Sequence, residues 1–344
     1  MALANTHLDP YRLKYDEAYL DKYENRLSNY GAFKAYQDDT KNTVPGADEL
    51  VSQYDGSRTV SLIVLNRQTL STAESRVCTM TTNQPTSTYV TPSWTTIVAA
   101  FKMVPAEHKG NYLKYQQIFD FQMTTVERTF LAALDTAAYT SLEANHSTVN
   151  AAANNPYAVA ADSMVVPAAD NDLCLNEFSA VMTANDLPGE NLNIVSSPRF
   201  AKALVAEVSN QGPGNDENRA FQFPNFKSFY YSNRVTVAAG DRDTVFIYPD
   251  GSLFYLSYVD EDSKLGHTAG EHEWSEQYLP RLGHNVGLLH NSDCGDMSSL
   301  GGGANTASKY ESFQFSFDYS FNVAYASAGG AVGTPIFKAN LTIA

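Results

Sequence analysis

Four of the seven histidines crowd into the last third of the chain, where His267, His272, His284 and His290 fall among Glu271, Glu273, Asp293 and Cys294. Imidazole, carboxylate and thiolate groups in one stretch are the ligand types that hold zinc. Their spacing argues against it, because no pair stands in the HExxH or CxxC arrangement that brings two ligands to one helical face or one knuckle. Polar side chains at strand ends and turns are commonplace and account for the group. Ser197 follows a strand-like run and precedes Pro198, so it can be drawn as a nucleophile at a strand-to-helix turn, but capping of the helix accounts for it. Gly301-Gly302-Gly303 lacks a following Lys-Ser/Thr and reads as a linker, not a phosphate cradle. Asp260, Glu261 and Asp262 read as a solvated loop tip. Asn145-His146-Ser147 and Asn340-Leu341-Thr342 match the glycosylation sequon without a secretory signal to give it meaning. No GxSxG elbow, Walker loop or GxGxxG after a strand is present. The expectation is a protein with no catalytic, cofactor-binding or metal residues, not an enzyme, and with no cofactor.

The bulk properties point the same way. The formal charge is −15, with no Lys/Arg run longer than a pair, so a phosphate-tracking groove is not expected. Cys78, Cys174 and Cys294 are odd in number and far apart, which predicts separate reduced thiols in a cytoplasmic setting. The first residues lack a basic-then-apolar signal, and no apolar run is long enough for a membrane span. The 21 Tyr and 18 Phe are a surplus that favours extensive strands and aromatic contacts.

Any positioning frame must come from the longest periodic segments. Tyr11, Tyr15, Tyr19, Tyr23, Leu27 and Tyr30 stand mostly four apart and predict a helical stripe, packed on the same body or docked on a neighbour. From Ser28 to Ser57 the composition turns polar. A β-rich stretch runs from Arg58 to Val104, with the apex Asn83-Gln84-Pro85-Thr86 between two Thr-rich arms too poor in large apolar residues to bury a core alone. Tyr112, Tyr115, Phe119, Met123, Val126, Phe130, Ala133, Ala137 and Ser141 predict a helix over about 110–146, roughly 50 Å long. Ser147 to Asp172 reads as loop. A strand, a helix capped by Ser197 and a hairpin around Pro249-Asp250-Gly251 predict an α+β subdomain over 173–270. The C-terminal part returns to strands. In "FQFSFDYSFNVAY", Phe313 to Tyr325, rings and aliphatics alternate strictly with polar residues, and the strand is long enough to lie along the helix and cover its stripe from Tyr112 to Ala137.

This order of parts resembles the major capsid protein of tailed bacteriophages, the Hong Kong 97-type α+β fold. The resemblance implies an N-terminal arm (1–57), an extended hairpin loop (58–104), a peripheral domain with a spine helix and long strands (105–172 and 271–344) and an axial domain (173–270), in which "NIVSSPRFAKAL" is similar to the family's strand–helix. It implies a structural protein that assembles into pentamers and hexamers of an icosahedral shell around double-stranded DNA, located in the virion and assembled in the host cytoplasm. Asn83, Gln84, Pro85, Tyr89, Trp94, Tyr15 and Tyr19 are then the expected contacts between subunits. The acidic balance suits a wall that repels enclosed DNA.

The sequence departs from the family in two places. Lys102 is the only lysine between Arg58 and Val104, so noncovalent cohesion or a decoration (cement) protein is expected instead of lysine cross-links. The segment before Asp55 is short for a built-in scaffold, so a separate scaffolding protein is expected beside the portal. No membrane partner is expected. The alternatives are an encapsulin-like compartment, a β-rich virion accessory or surface-binding protein, and a metal-dependent hydrolase around His272 and His284. The segment Asn111 to His146 discriminates against the second, since a β-sandwich has no place for a long rod.

Overall fold

A computed structural model of the chain describes residues 30–43, 62–65, 87–104, 112–147, 156–171, 174–185, 187–200, 225–296, 307–323 and 334–343. In chain order the elements begin with α1 (Gly31–Thr43), β1 (Leu62–Leu65), β2 (Ser87–Val90) and β3 (Thr95–Met103). The long helix α2 (Tyr112–Asn145) follows, then β4 (Ala158–Ala160), β5 (Ser163–Val166), α3 (Cys174–Ala184) and β6 (Leu192–Ser196). Next come β7 (Phe226–Tyr231), β8 (Asp241–Pro249), β9 (Leu253–Tyr258), α4 (Glu261–Leu265) and β10 (Thr268–Ala269). The last are β11 (His272–Leu279), β12 (His284–Asp296), β13 (Ala307–Val323) and β14 (Phe337–Thr342).

The predicted rod is one uninterrupted helix of 34 residues, about 51 Å at 1.5 Å per residue. Tyr115, Phe119, Met123, Val126 and Phe130 are buried on the expected stripe. Beyond Phe130 the buried line runs through Leu134, Ala138 and Leu142, in place of the expected Ala133, Ala137 and Ser141. The reason is geometric. Four residues exceed one helical turn, so a line advancing by fours winds around the rod and comes to face a second neighbour.

That neighbour is α1, which the polar composition of 28–57 conceals. Ala32, Ala35 and Tyr36 are fully buried, with Phe33 and Asp39 nearly so. Positions 32, 35, 36 and 39 share one helical face. Gly31 sits against the backbone of β7, where an added Cβ would stand 2.5 Å from the Tyr231 carbonyl oxygen. Backbone cannot move aside as a flexible side chain can, so Gly31→Ala is expected to destabilise the chain by about 1–3 kcal/mol, read as a lower urea midpoint at unchanged slope.

Two six-stranded sheets frame these helices. In the first the order is β10-β11-β12-β13-β3, with β9 also pairing β13. Every ladder in it is antiparallel, and β13 is its hub, pairing β12 through residues 307–316, β3 through 311–319 and β9 through 318–323. The second has the order β4-β5-β14-β8-β6-β7, with β5–β14 and β6–β7 parallel. This sheet takes β4, β5 and β14 from outside residues 173–270, and part of the stretch read as loop, 147–172, is strand. On one face of it α3 covers Ile194, Val245, Ile247, Phe337 and Leu341; from the other face Val195, Phe246 and Tyr248 join the core around α1 and α2.

The expected hairpin at Pro249-Asp250-Gly251 does not form. β8 lies in the second sheet and β9 in the first, so the chain crosses between sheets at 250–252. β1 and β2 pair antiparallel, Leu62 opposite Val90, as a separate two-stranded ribbon ahead of β3.

Candidate functional site

The aromatic side of β13 lies on α2. Tyr115 donates its hydroxyl to Glu311 Oε2 at 2.7 Å. Phe119 meets Phe313 edge-on with centroids 5.2 Å apart, and Phe130 meets Phe317 likewise at 5.2 Å. From Tyr115 to Phe130 the helix rises about 22 Å, and from Glu311 to Phe317 the strand extends about 20 Å. The matched advance means that helix and strand run side by side. Phe101 of β3 extends the contact, stacking on Phe313 at 5.2 Å and abutting Phe119 at 5.6 Å.

The clamp covers less of the rod than its length allows. Past Phe317 the strand leaves α2, and Phe321 packs instead on α1 and β9, 4.9 Å from Tyr36 and 5.1 Å from Tyr255. The far half of α2 is covered by α1 and by Phe246, whose ring is 6.0 Å from that of Tyr139.

Buried carboxylates fix these elements in register. Asp135 of α2 accepts the Phe33 N–H at 3.0 Å and the hydroxyl of Ser232, joining α2, α1 and the end of β7. Burial raises its carboxyl above the ordinary range, against the pull of Ser232 and the α1 amides. Glu127, fully buried on α2, lies 3.4 Å from Arg281 Nε in the β11–β12 turn. On α1, Tyr36 donates to Ser141 at 2.9 Å and Gln37 to the Leu282 carbonyl at 2.9 Å. The sequence reading missed Asp39, Asp135 and Glu127. The available signal was position: each falls on the buried face of its helix, where a carboxylate persists only if hydrogen-bonded.

The histidines are dispersed. His272 stands opposite Asn291 and His284 opposite Leu279, at opposite ends of one hairpin and about 23 Å apart along the strand. His284 is 2.9 Å from the Tyr255 hydroxyl, and His290 lies against Phe313 with Glu273 3.7 Å away. His267 and His272 flank the Trp274 ring. Among the described residues no three His, Cys, Asp or Glu side chains gather as metal ligands. The Ser197 hydroxyl accepts the Arg199 N–H at 3.3 Å, which is the capping role. Asp260 caps α4 through the Ser263 N–H at 3.0 Å, so the acidic triplet starts a short helix and is not a bare loop tip.

Of the expected contact residues, Tyr15, Tyr19, Asn83, Gln84 and Pro85 lie outside the described residues, as does the Tyr stripe before Tyr30. Tyr89 is in β2 opposite Ile63. Trp94, partly exposed, packs edge-on against Tyr258 of the same chain at 6.1 Å. Among the described residues no helix is long and apolar enough to cross a membrane.

No family model matches the chain. No curated protein matches it. Among solved structures it is similar to the capsid of the cyanophage P-SCSP1u, at 12% identity over 85% of each chain with a TM-score of 0.47. It is similar to the mature capsid of bacteriophage PhiM1, at 14% identity over 84% of each chain with a TM-score of 0.42. A third likeness is to the capsid of cyanophage Pam1, at 9% identity over 85% of this chain and 86% of that one, with a TM-score of 0.46.

Proposed function

We propose that the chain is a Hong Kong 97-type major capsid protein that assembles with its own copies into pentamers and hexamers of a closed shell around double-stranded DNA. One observation carries the reading: an unbroken 34-residue helix whose first half is clamped against Glu311–Phe317, on the buried aromatic side of a 17-residue strand. Such a plate is stiff along its length, and stiffness matters to a subunit that transmits load to neighbours on all sides. Its role is cohesion and not chemistry. The contacts belong to the ribbon β1–β2, the segment around Asn83-Gln84-Pro85 and the N-terminal residues that include Tyr15 and Tyr19. Heterologous contacts close into rings, and many weak ones sum to a stable shell. A scaffolding protein guides the curvature, a portal occupies one vertex, and a decoration protein adds cohesion where lysine cross-links are missing. The net charge of −15 keeps the packaged DNA from adhering to the wall. Assembly takes place in the host cytoplasm.

Sedimentation velocity of the purified chain, alone and with a candidate scaffold, tests this. Fast-sedimenting rings or shells are expected. A species that stays at the 37.7 kDa of one chain under every condition would oppose the assignment.

A further inference from the structure

We propose that Asp39 of α1 and Asp250 share one proton and form a clasp that tightens on mild acidification, at the point where the chain passes from one six-stranded sheet to the other. Pro249 ends β8 in the second sheet and Leu253 begins β9 in the first, so residues 250–252 are the crossover. Asp39, 2% exposed, reaches into it from α1. Its Oδ1 accepts the Gly251 N–H and its Oδ2 the Leu253 N–H, each at 2.7 Å. One residue further along α1, Thr40 Oγ1 accepts the Tyr255 N–H at 2.8 Å. Three amides of the crossover and β9 are thus held by two consecutive side chains.

Asp250 immediately precedes the Gly251 amide that Asp39 holds, so its charge acts on Asp39, and its Oδ2 is 2.6 Å from Lys227 Nζ on β7. Two neighbouring carboxylates do not both ionise without cost. Lys227 favours the charge on Asp250, so the proton resides on Asp39. Burial above all, then Asp250, push the Asp39 carboxyl up to about 6, although the Gly251 and Leu253 amides pull it down. Asp250 is held low: despite its own burial, the hydrogen bonds with Lys227 and Asp39 prevail.

Tyr230 of β7 donates to Asp38 at 3.1 Å. Tyr36 of α1, Tyr230 and Tyr248 of β8 are all raised, chiefly by burial, and stay neutral at mild pH. Asp135 faces α1 from α2 and is itself raised.

An acid whose pKa is higher in the folded chain binds more protons folded than unfolded between its two values. The attachment therefore gains as pH falls from 7 through about 6 and loses as pH rises through it. Asp250, shifted the other way, matters only below its ordinary range of about 4. In molecular terms the added proton relieves the desolvation of a buried charge and its repulsion from Asp250, and this outweighs the weaker acceptance of the Gly251 and Leu253 amides by a neutral carboxyl.

The test is hydrogen exchange of the full-length, unassembled chain at pH 5 and pH 7, corrected for intrinsic exchange, in peptides covering 31–43 and 247–256. This readout does not depend on shell formation, so its failure and that of the capsid reading are separable. Protection in both peptides is expected to be about tenfold greater at pH 5, the change that one site with a pKa near 6 gives over this interval. Asp39→Asn should abolish the difference in 247–256 and only reduce it in 31–43, where Asp135 also acts through the Phe33 N–H; the Asp135 response itself remains in peptides covering 225–234. Asp250→Asn should shrink the difference by removing the neighbouring charge, and it keeps the test intact if the Asp39 variant does not fold. Protection in wild type that is equal at both pH values, or lower at pH 5, would overturn the proposal, as would a pH response that survives Asp39→Asn unchanged.

Discussion

Phe313→Ala is expected to destabilise the chain by about 3–5 kcal/mol, the cost of removing a fully buried ring and leaving a cavity. The surroundings set the size of this effect. Phe313 touches Phe101 on the neighbouring strand, Phe119 on α2 and His290 on β12, with centroids at 5.2, 5.2 and 4.8 Å. Three rings held by three different elements cannot collapse together into one void. Phe313→Leu, which keeps most of the volume, should lose clearly less, and urea midpoints of the two variants beside wild type measure the difference. Equal losses would mean that the ring is not at the centre of the clamp.

The second large effect is expected at Asp135. Asp135→Ala leaves the Phe33 amide and the Ser232 hydroxyl without their acceptor inside the core, and each stranded donor costs about 1–3 kcal/mol. A net loss of about 2–4 kcal/mol is the expectation, because the desolvation of the carboxylate is recovered. Asp135→Asn retains an acceptor oxygen and should fall nearer to wild type. The pH dependence has a fixed sign. The carboxyl is raised by burial, so its contribution to stability is greatest at low pH and declines as pH rises through the folded value. The alanine variant should lose that slope. Denaturation at several pH values reads both predictions.

These two sites mark what the residue pattern reveals and what it hides. Phe313, Phe315 and Phe317 alternate with polar residues, and Tyr115 to Phe130 follow the helical period, so each element was legible alone and their pairing followed from matched lengths. The limit of that pairing was not legible, because nothing in "FDYSFNV" says that Phe321 leaves α2 for Tyr36. The missing partner, α1, carries Asp38, Asp39 and Lys34 within a short segment, and such polarity reads as a solvated arm. Only tertiary hydrogen bonds make its buried aspartate tolerable, and a local window does not contain them. The strands flanking Pro249-Asp250-Gly251 misled for a related reason. Turn residues announce a reversal, but whether the two strands then pair depends on the sheet each joins. Chemistry was read correctly at Ser197, where a cap needs only its neighbours.

Electron microscopy of the expressed chain, alone and with a candidate scaffolding protein, separates a shell subunit from a free-standing one. The capsid assignment requires closed shells whose subunits meet around fivefold and sixfold axes, each contributing one straight rod of density about 50 Å long. Fields of single subunits under all conditions, or particles whose subunits show that rod broken into short pieces, would contradict it.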